Sequence, residues 1–402
     1  MNRTGRRHGM LRCSLVALGL SAGGGVAQAA VLLVDDDLAQ CPTAGFTTIQ
    51  SAVNAALSGA AIRVCPGTYA EQVVISRPVK ITGDNGAIVK PSGMTANTTS
   101  LFDASPIAAV ILAMDAINVF LTGLTVDGAD NGLPDCTAQF VGIFYRNASG
   151  KVAKAAVRNI RFGAGLETCE RGLGIFAQSG AGGTSRVFVD SSSVHDYQKN
   201  GITGNEIGTD LRVTRSVVMG SGSIAQVTQN GVQVAYGALG LVLPSVVANH
   251  VYPPCVDVLT CGAYSSDVLV VDSDLVKVQK NTLGKSQSAL FVQGNRAIVS
   301  DNTAYDTDVW DAIAFVGASN RALRNKITQS AESAVYLEGD KNLVSVNTIN
   351  ETPIGVWTFS GVSNIVKLNV FSNTDTPIED STVPRPEGGR AASPRPAASG
   401  VR

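Results

Sequence analysis

Short β-branched runs recur along this chain, each closed by Asn, Asp, Ser or Gly, and apolar and polar residues alternate within them. A period of two belongs to strands, and the 3.6-residue period of a helical repeat is missing. The runs themselves repeat. Asn281, Asn302, Asn325, Asn347 and Asn369 recur at steps of 21, 23, 22 and 22 residues, a length suited to one coil of a solenoid. A second register opens on a small residue and continues apolar, variable, apolar. It runs through Gly142-Ile143-Phe144-Tyr145, Gly174-Ile175-Phe176-Ala177, Gly201-Ile202-Thr203-Gly204, Gly231-Val232-Gln233-Val234, Ala289-Leu290-Phe291-Val292, Ala312-Ile313-Ala314-Phe315 and Ala334-Val335-Tyr336-Leu337. Its last member reads Val356-Trp357-Thr358-Phe359.

Alternation sends the second and fourth members of each run inward and the third outward. Leu290, Ile313, Val335 and Trp357 are therefore expected in one buried column, with rungs about 4.8 Å apart. Phe144, Phe176, Phe291 and Tyr336 fall outward, either to stack on sugars or to carry a loop over the sheet. One helix is predicted, over residues 47–59, with Ile49, Val53 and Leu57 on one face, Thr47 or Thr48 as N-cap and Gly59 as the stop. At the end of a solenoid it would cover open strand edges.

The chain ends add a compartment. Arg3, Arg6, Arg7 and Arg12 precede an apolar run that leads into Ala27-Gln28-Ala29, which reads as a signal peptide over residues 1–29. No later segment offers about 20 consecutive apolar residues, so membrane insertion is not expected and the mature chain is placed in the periplasm or outside the cell. Residues 30–99 read as the N-terminal cap and first coils, 100–380 as the remaining coils, and 381–402, rich in Pro, Gly, Ala and Ser, as a disordered tail. Beyond the leader lie Cys41, Cys65, Cys136, Cys169, Cys255 and Cys261, an even set that suits disulfides in an oxidising compartment. Neighbours are paired: Cys41–Cys65, Cys136–Cys169 and Cys255–Cys261. Without the four leader arginines, 27 basic residues face 32 acidic ones, a net charge of −5. That balance argues against nucleic acid, and an acidic polymer would need a local basic cluster. The chain is read as a monomer.

Residues 47–83, TTIQSAVNAALSGAAIRVCPGTYAEQVVISRPVKITG, resemble the N-terminal segment of secreted pectin lyase-like β-helix proteins. HDYQKNGI at 195–202 and TQNGVQV at 228–234 resemble repeats of bacterial β-helix proteins of unassigned function. The resemblance implies an all-β, right-handed parallel β-helix of three sheets, with polysaccharide as the common ligand class and the helix as its N-terminal cap.

The catalytic phrases of this superfamily are not found intact. Asn373-Thr374-Asp375 spells one polygalacturonase phrase without the others, and Gly67-x-Tyr69-x-Glu71 resembles only the opening of pectin methylesterases. Asp127, Asp130, Asn131 and Asp135 share one loop, which reads as a turn or as a calcium site; no other cofactor is expected.

The remaining candidate is a strip on two successive coils. His195, Asp196, Tyr197, Gln198, Lys199 and Asn200 precede one rung, and Gln229 and Asn230, with Gln233 outward, belong to the next. Lys199, His195 and Asp196 are the catalytic candidates, a base and a charge neutraliser for a uronate, and the others would hold the sugar chain. The strip is expected on an exposed face. The alternative is structural: Asn200 and Asn230 each precede a Gly that opens a strand, where Asn suits turns and side-chain ladders. Two functions follow: an exported β-helix that binds acidic polysaccharide, or a lyase or epimerase acting on a uronic-acid polymer.

Overall fold

The computed structural model describes Met1 and residues 31–256, 261 and 263–382; the leader and most of the proline-rich tail lie outside the described residues. Strands of each coil pair in parallel with those of the next, forming three ladders. The first ladder has 13 strands, from Leu32–Val34 to Ile365–Lys367. The second begins at Gly67–Tyr69 and the third at Val73–Ile75. Two long strands, Thr348–Ser360 and Val370–Asp380, run through the last corner and join these two ladders into one sheet. The described pairs are parallel except for Thr98–Thr99 against Pro106–Met114. The chain is a parallel β-helix with a pectin lyase-like fold. No helix among the described residues is long and apolar enough to cross a membrane.

The core is built from stacked columns. Leu290, Ile313 and Val335 occupy one column, as the register requires. Val356 continues it, and Trp357 pairs with Tyr336 in the outward column. The expected place of Trp357 is thus corrected by one residue: Gly355, not Val356, is the small opening member, and a Cβ there would meet the Pro377 carbonyl oxygen at 2.4 Å. Trp357 is nonetheless buried, against Tyr336 and with its Nε1 donating to Ser381 Oγ.

The asparagine register is a ladder of side chains inside one corner. The amide nitrogens of Asn281, Asn302, Asn325 and Asn347 each donate to the Oδ1 of the next Asn at 2.9–3.0 Å, and the backbone N–H of each does the same at 2.8–3.0 Å. Ser192, Ser216 and Ser245 continue the ladder in earlier coils. The residue before each Asn, such as Lys280, Arg324 or Val346, takes a left-handed φ that turns the corner.

The α-helix spans Ile49–Ala55, with Thr48 as N-cap, and it buries Ile49, Ala52 and Val53. Leu57 lies past the helix end and is 80% exposed, contrary to the sequence expectation, because the chain leaves the helix at Ala56. Glu71, from the following coil, accepts the Ile49 and Gln50 N–H groups at 2.7 and 2.9 Å, and its burial pushes its carboxyl pKa up. The three expected disulfides are present: Cys41–Cys65, Cys136–Cys169 and Cys255–Cys261.

Candidate functional site

The outer face of the third ladder carries the predicted strip, and it is covered. Phe144 and Phe176 stack at 4.8 Å in an apolar patch with Leu112 and Leu173. Phe291, Tyr336 and Trp357 lie further along, packed with Tyr264, Trp310 and the Cys255–Cys261 disulfide. The outward aromatics are at most 7% exposed, so the loop-bearing alternative is the one realised.

Between the two apolar patches sit the polar residues, and the expectation of an exposed strip is overturned. Lys199 is 2% exposed, and Asn200, Gln229, Asn230 and Gln233 are fully buried. Asn200 donates to Gln233 Oε1 at 2.8 Å, Asn230 donates to Asn200 Oδ1 at 3.2 Å, and Gln233 donates to Asn205 Oδ1 at 2.9 Å. Gln229 holds the Tyr197 carbonyl and the Ser221 N–H, while Gln198 pins the 162–169 loop through Phe162, Leu166 and Cys169. These side chains substitute for water on one another, as buried polar groups must. Lys199 donates to Thr228 Oγ1 at 2.6 Å and pairs with Glu170; burial lowers its pKa and Glu170 opposes that shift.

Tyr197 points inward. Its hydroxyl meets His250 Nε2 at 2.5 Å, and His250 Nδ1 meets Asp267 Oδ1 at 2.7 Å. Ser286 donates to the same carboxylate oxygen, whereas Asp267 Oδ2 has no partner. Burial, against the pull of His250 and Ser286, raises the Asp267 pKa to about 6. No sequence spacing announces this relay, because Tyr197 lies two coils before His250 and Asp267. His195 and Asp196 alone of the strip are partly exposed. They share a 2.6 Å contact, and Arg161 binds Asp196 at 2.8 Å. The structure therefore does not pair His195 with an exposed Lys199.

In the acidic loop each candidate calcium ligand is used by the chain. Asp127 accepts from Arg158, Asn159 and the Ala129 N–H, Asp130 pairs with Lys90, Asn131 donates to the Gly128 carbonyl and Asp135 accepts from the Thr137 N–H. These are the contacts of a turn.

The outer face of the first ladder is bare. One column of register partners reads Ala61, Lys80, Phe120, Lys151, Phe188, Arg212, Leu241, Lys277, Ile298, Arg321 and Leu343. Cation and apolar side chain alternate from Ala61 to Leu343, before Ile365 ends the alternation, so positive charges recur every two rungs, about 9.6 Å. Lys80, Phe188, Lys277 and Arg321 are exposed and the remaining side chains from Phe120 onward are half-buried. The Arg212 guanidinium lies 5.0 Å from the Phe188 ring centroid. Asp190 pairs with Lys151 and Asp210 with Arg212, both at 2.9 Å, whereas the ion pairs of the described residues do not include Lys80, Lys277 or Arg321. The flanking column carries Thr82, Thr122, Thr214 and Gln279, all able to hydrogen-bond a ligand, whereas Ser300 in the same column is buried and accepts from Gln279. Sequence reasoning missed this face. Its signal is a cation directly before a core residue in alternate coils, as in Lys80-Ile81, Lys151-Val152, Arg212-Val213 and Lys277-Val278.

Residues 256–383 match the family described as periplasmic copper-binding protein (NosD). Copper favours His, Met or thiolate donors. This segment holds no histidine or methionine, and its one cysteine, Cys261, is in a disulfide, so it shares no soft-metal donor set. No curated protein matches the sequence. Among solved structures, the GH136 lacto-N-biosidase from Eubacterium ramulus aligns over 85% of this chain and 67% of its own, at 10% identity and a TM-score of 0.60. PfbA, a surface adhesin of Streptococcus pneumoniae, aligns over 85% and 91%, at 14% identity and 0.52. The A-module of a mannuronan C-5 epimerase from Azotobacter vinelandii aligns over 88% and 95%, at 14% identity and 0.50. At these identities the likeness is one of fold.

Proposed function

We propose that this protein is an exported, monomeric β-helix that binds acidic polysaccharide along the outer face of its first ladder. The observation that carries this reading is the exposed column in which a cation follows every apolar side chain over ten rungs. An extended glycan lying along the axis would set its sugar faces on Phe120 and Phe188 and its carboxylates on Lys80, Lys277 and Arg321. The column is the local basic cluster that a chain of net negative charge needs to attract a polyanion. The coil is taken as right-handed, the near-universal hand of parallel crossovers, and the helix as the cover of its first rung. The solved structures of this fold include, by their names, a biosidase, a mannuronan epimerase and a surface adhesin, so glycan chemistry is at home on it. The buried state of Lys199 favours binding over lyase or epimerase chemistry, because a base must reach its proton.

The test is titration of the mature protein with alginate, polygalacturonate and hyaluronate, with dextran as a neutral control. Binding should weaken with salt, dextran should not bind, and Lys80→Glu with Lys277→Glu and Arg321→Glu should lower affinity at least about tenfold. Equal affinity for dextran, or an unaffected triple variant, would sink the proposal. A rise in the absorbance of unsaturated uronate ends would replace it with the lyase reading.

A further inference from the structure

We infer that the first-ladder face selects a linear acidic polysaccharide in which a carboxylated sugar alternates with a neutral one. Given a polyanion on that face, the reading on which this rests, the rhythm of the column decides which polyanion fits. From Lys80 to Arg321 each cation is separated from the next by one apolar rung, held by Phe120, Phe188, Leu241 or Ile298. In an extended chain each pyranose and its glycosidic bond advance by close to one rung, so a glycan lying along the axis sets successive sugars on successive rungs. Cations then meet every second sugar. Lys80, Lys277 and Arg321, the cations outside the ion pairs of the described residues, lie an even number of rungs apart, so one phase of the alternation serves all three.

Charge balance separates the alternatives. A polymer with a carboxylate on every sugar brings two negative charges for each cation, and the surplus carboxylate falls on an apolar side chain, where it loses water without gaining a partner. Lys151 and Arg212 already pair with Asp190 and Asp210, which makes positive charge scarcer still. Asp190 stands on the Phe188 rung and repels a carboxylate there. The alternating polymer brings one carboxylate for each cation and lays a neutral ring on the apolar rung between. At one place the surface is shaped for such a ring: an open depression of about 340 Å³ takes its lining from Lys80, Thr82, Phe120, Thr122 and Lys151. That volume lies within the range of small-ligand sites. Phe120 offers an apolar face to the sugar, the two threonine hydroxyls can bond its hydroxyls, and a cation stands one rung to either side.

The experiment is calorimetric titration of the mature protein, at one ionic strength, with oligosaccharides of hyaluronate and unsulfated chondroitin, which alternate, and of mannuronate and galacturonate, which carry a carboxylate on every sugar. The second pair is used both at matched length and at matched carboxylate number. The alternating oligomers should bind at least about tenfold more tightly than either. Phe120→Lys with Phe188→Lys puts a cation on each rung from Lys80 to Arg212, and in the folded double variant, checked by circular dichroism, that preference should shrink about threefold or more as mannuronate and galacturonate gain. Affinity that rises with carboxylate density in the unmodified protein overturns the alternating polymer and leaves the acidic-polysaccharide reading standing. A preference unchanged in the folded double variant overturns it equally, because the rungs between cations would not then be what selects. If no acidic oligomer binds, the first-ladder reading fails and this inference fails with it.

Discussion

The outer faces of the third and first ladders start from the same alternation and end in opposite states. Phe291 and Phe188 are both outward on their strands; Phe291 is 1% exposed and Phe188 is 41% exposed. The difference is what lies above them. Segments carrying Tyr264, Trp310 and the Cys255–Cys261 disulfide cover the third ladder, and among the described residues no such apolar cluster packs over Phe188. Outward polar residues follow the same division. Asn230 donates to Asn200, Asn200 to Gln233 and Gln233 to Asn205, whereas Lys80, Lys277 and Arg321 face solvent. Pointing away from the core is therefore not the same as being available to a ligand.

The comparison breaks most sharply on the aromatics. Phe291→Ala should cost about 3–5 kcal/mol in urea unfolding and Phe188→Ala less than about 1 kcal/mol, and similar costs would mean that the two faces are covered alike. Lys199→Ala should lose about 2 kcal/mol, because a buried donor network and the packing of the side chain go together; an unchanged melting temperature would return Lys199 to the exposed strip.

A pH titration sharpens the contrast between covered and bare carboxylates. Asp267 has a folded pKa of about 6 against an ordinary 3.8, so the folded state holds this proton more tightly than the open chain. Its contribution is fully present below about pH 3.8 and is lost as pH rises through about 6, with a slope of at most about 1.4 kcal/mol per pH unit. Asp267→Asn should remove that slope from the stability curve. Asp301, paired with Arg324 on the surface, has its pKa lowered, so its contribution is present above the ordinary value and lost as the solution is acidified below it. The smallest stability effect belongs to the bare face: each of Lys80→Glu, Lys277→Glu and Arg321→Glu should change stability by less than about 0.5 kcal/mol, leaving any loss of glycan binding to be read as a direct effect.

Much of the fold was legible in the residues. The asparagine steps located a corner that the side-chain ladder then fills, the small opening residues marked the strands of the third ladder, and neighbouring cysteines met. Two misreadings have local causes. The final run opens on Gly355 and not on Val356, which shifts Trp357 by one residue, and the helix ends before Leu57. The candidate site was less legible. The strip from His195 to Gln233 was chosen by residue type, and residue type does not distinguish an amide that binds sugar from one that binds its neighbour in the next coil.

By itself the sequence determined the period, the inward and outward sets within each strand, the corner asparagines and the cysteine partners, since alternation and coil length act between residues near in the chain or one coil apart. Only the tertiary structure decided which outward residues meet water. That depends on segments such as 162–172 and those carrying Tyr264 and Trp310 folding back over a ladder, and on Tyr197 meeting His250 and Asp267 of a later coil. The energy of covering a face comes from the fit of the loop to it, which alternation along any single strand does not encode.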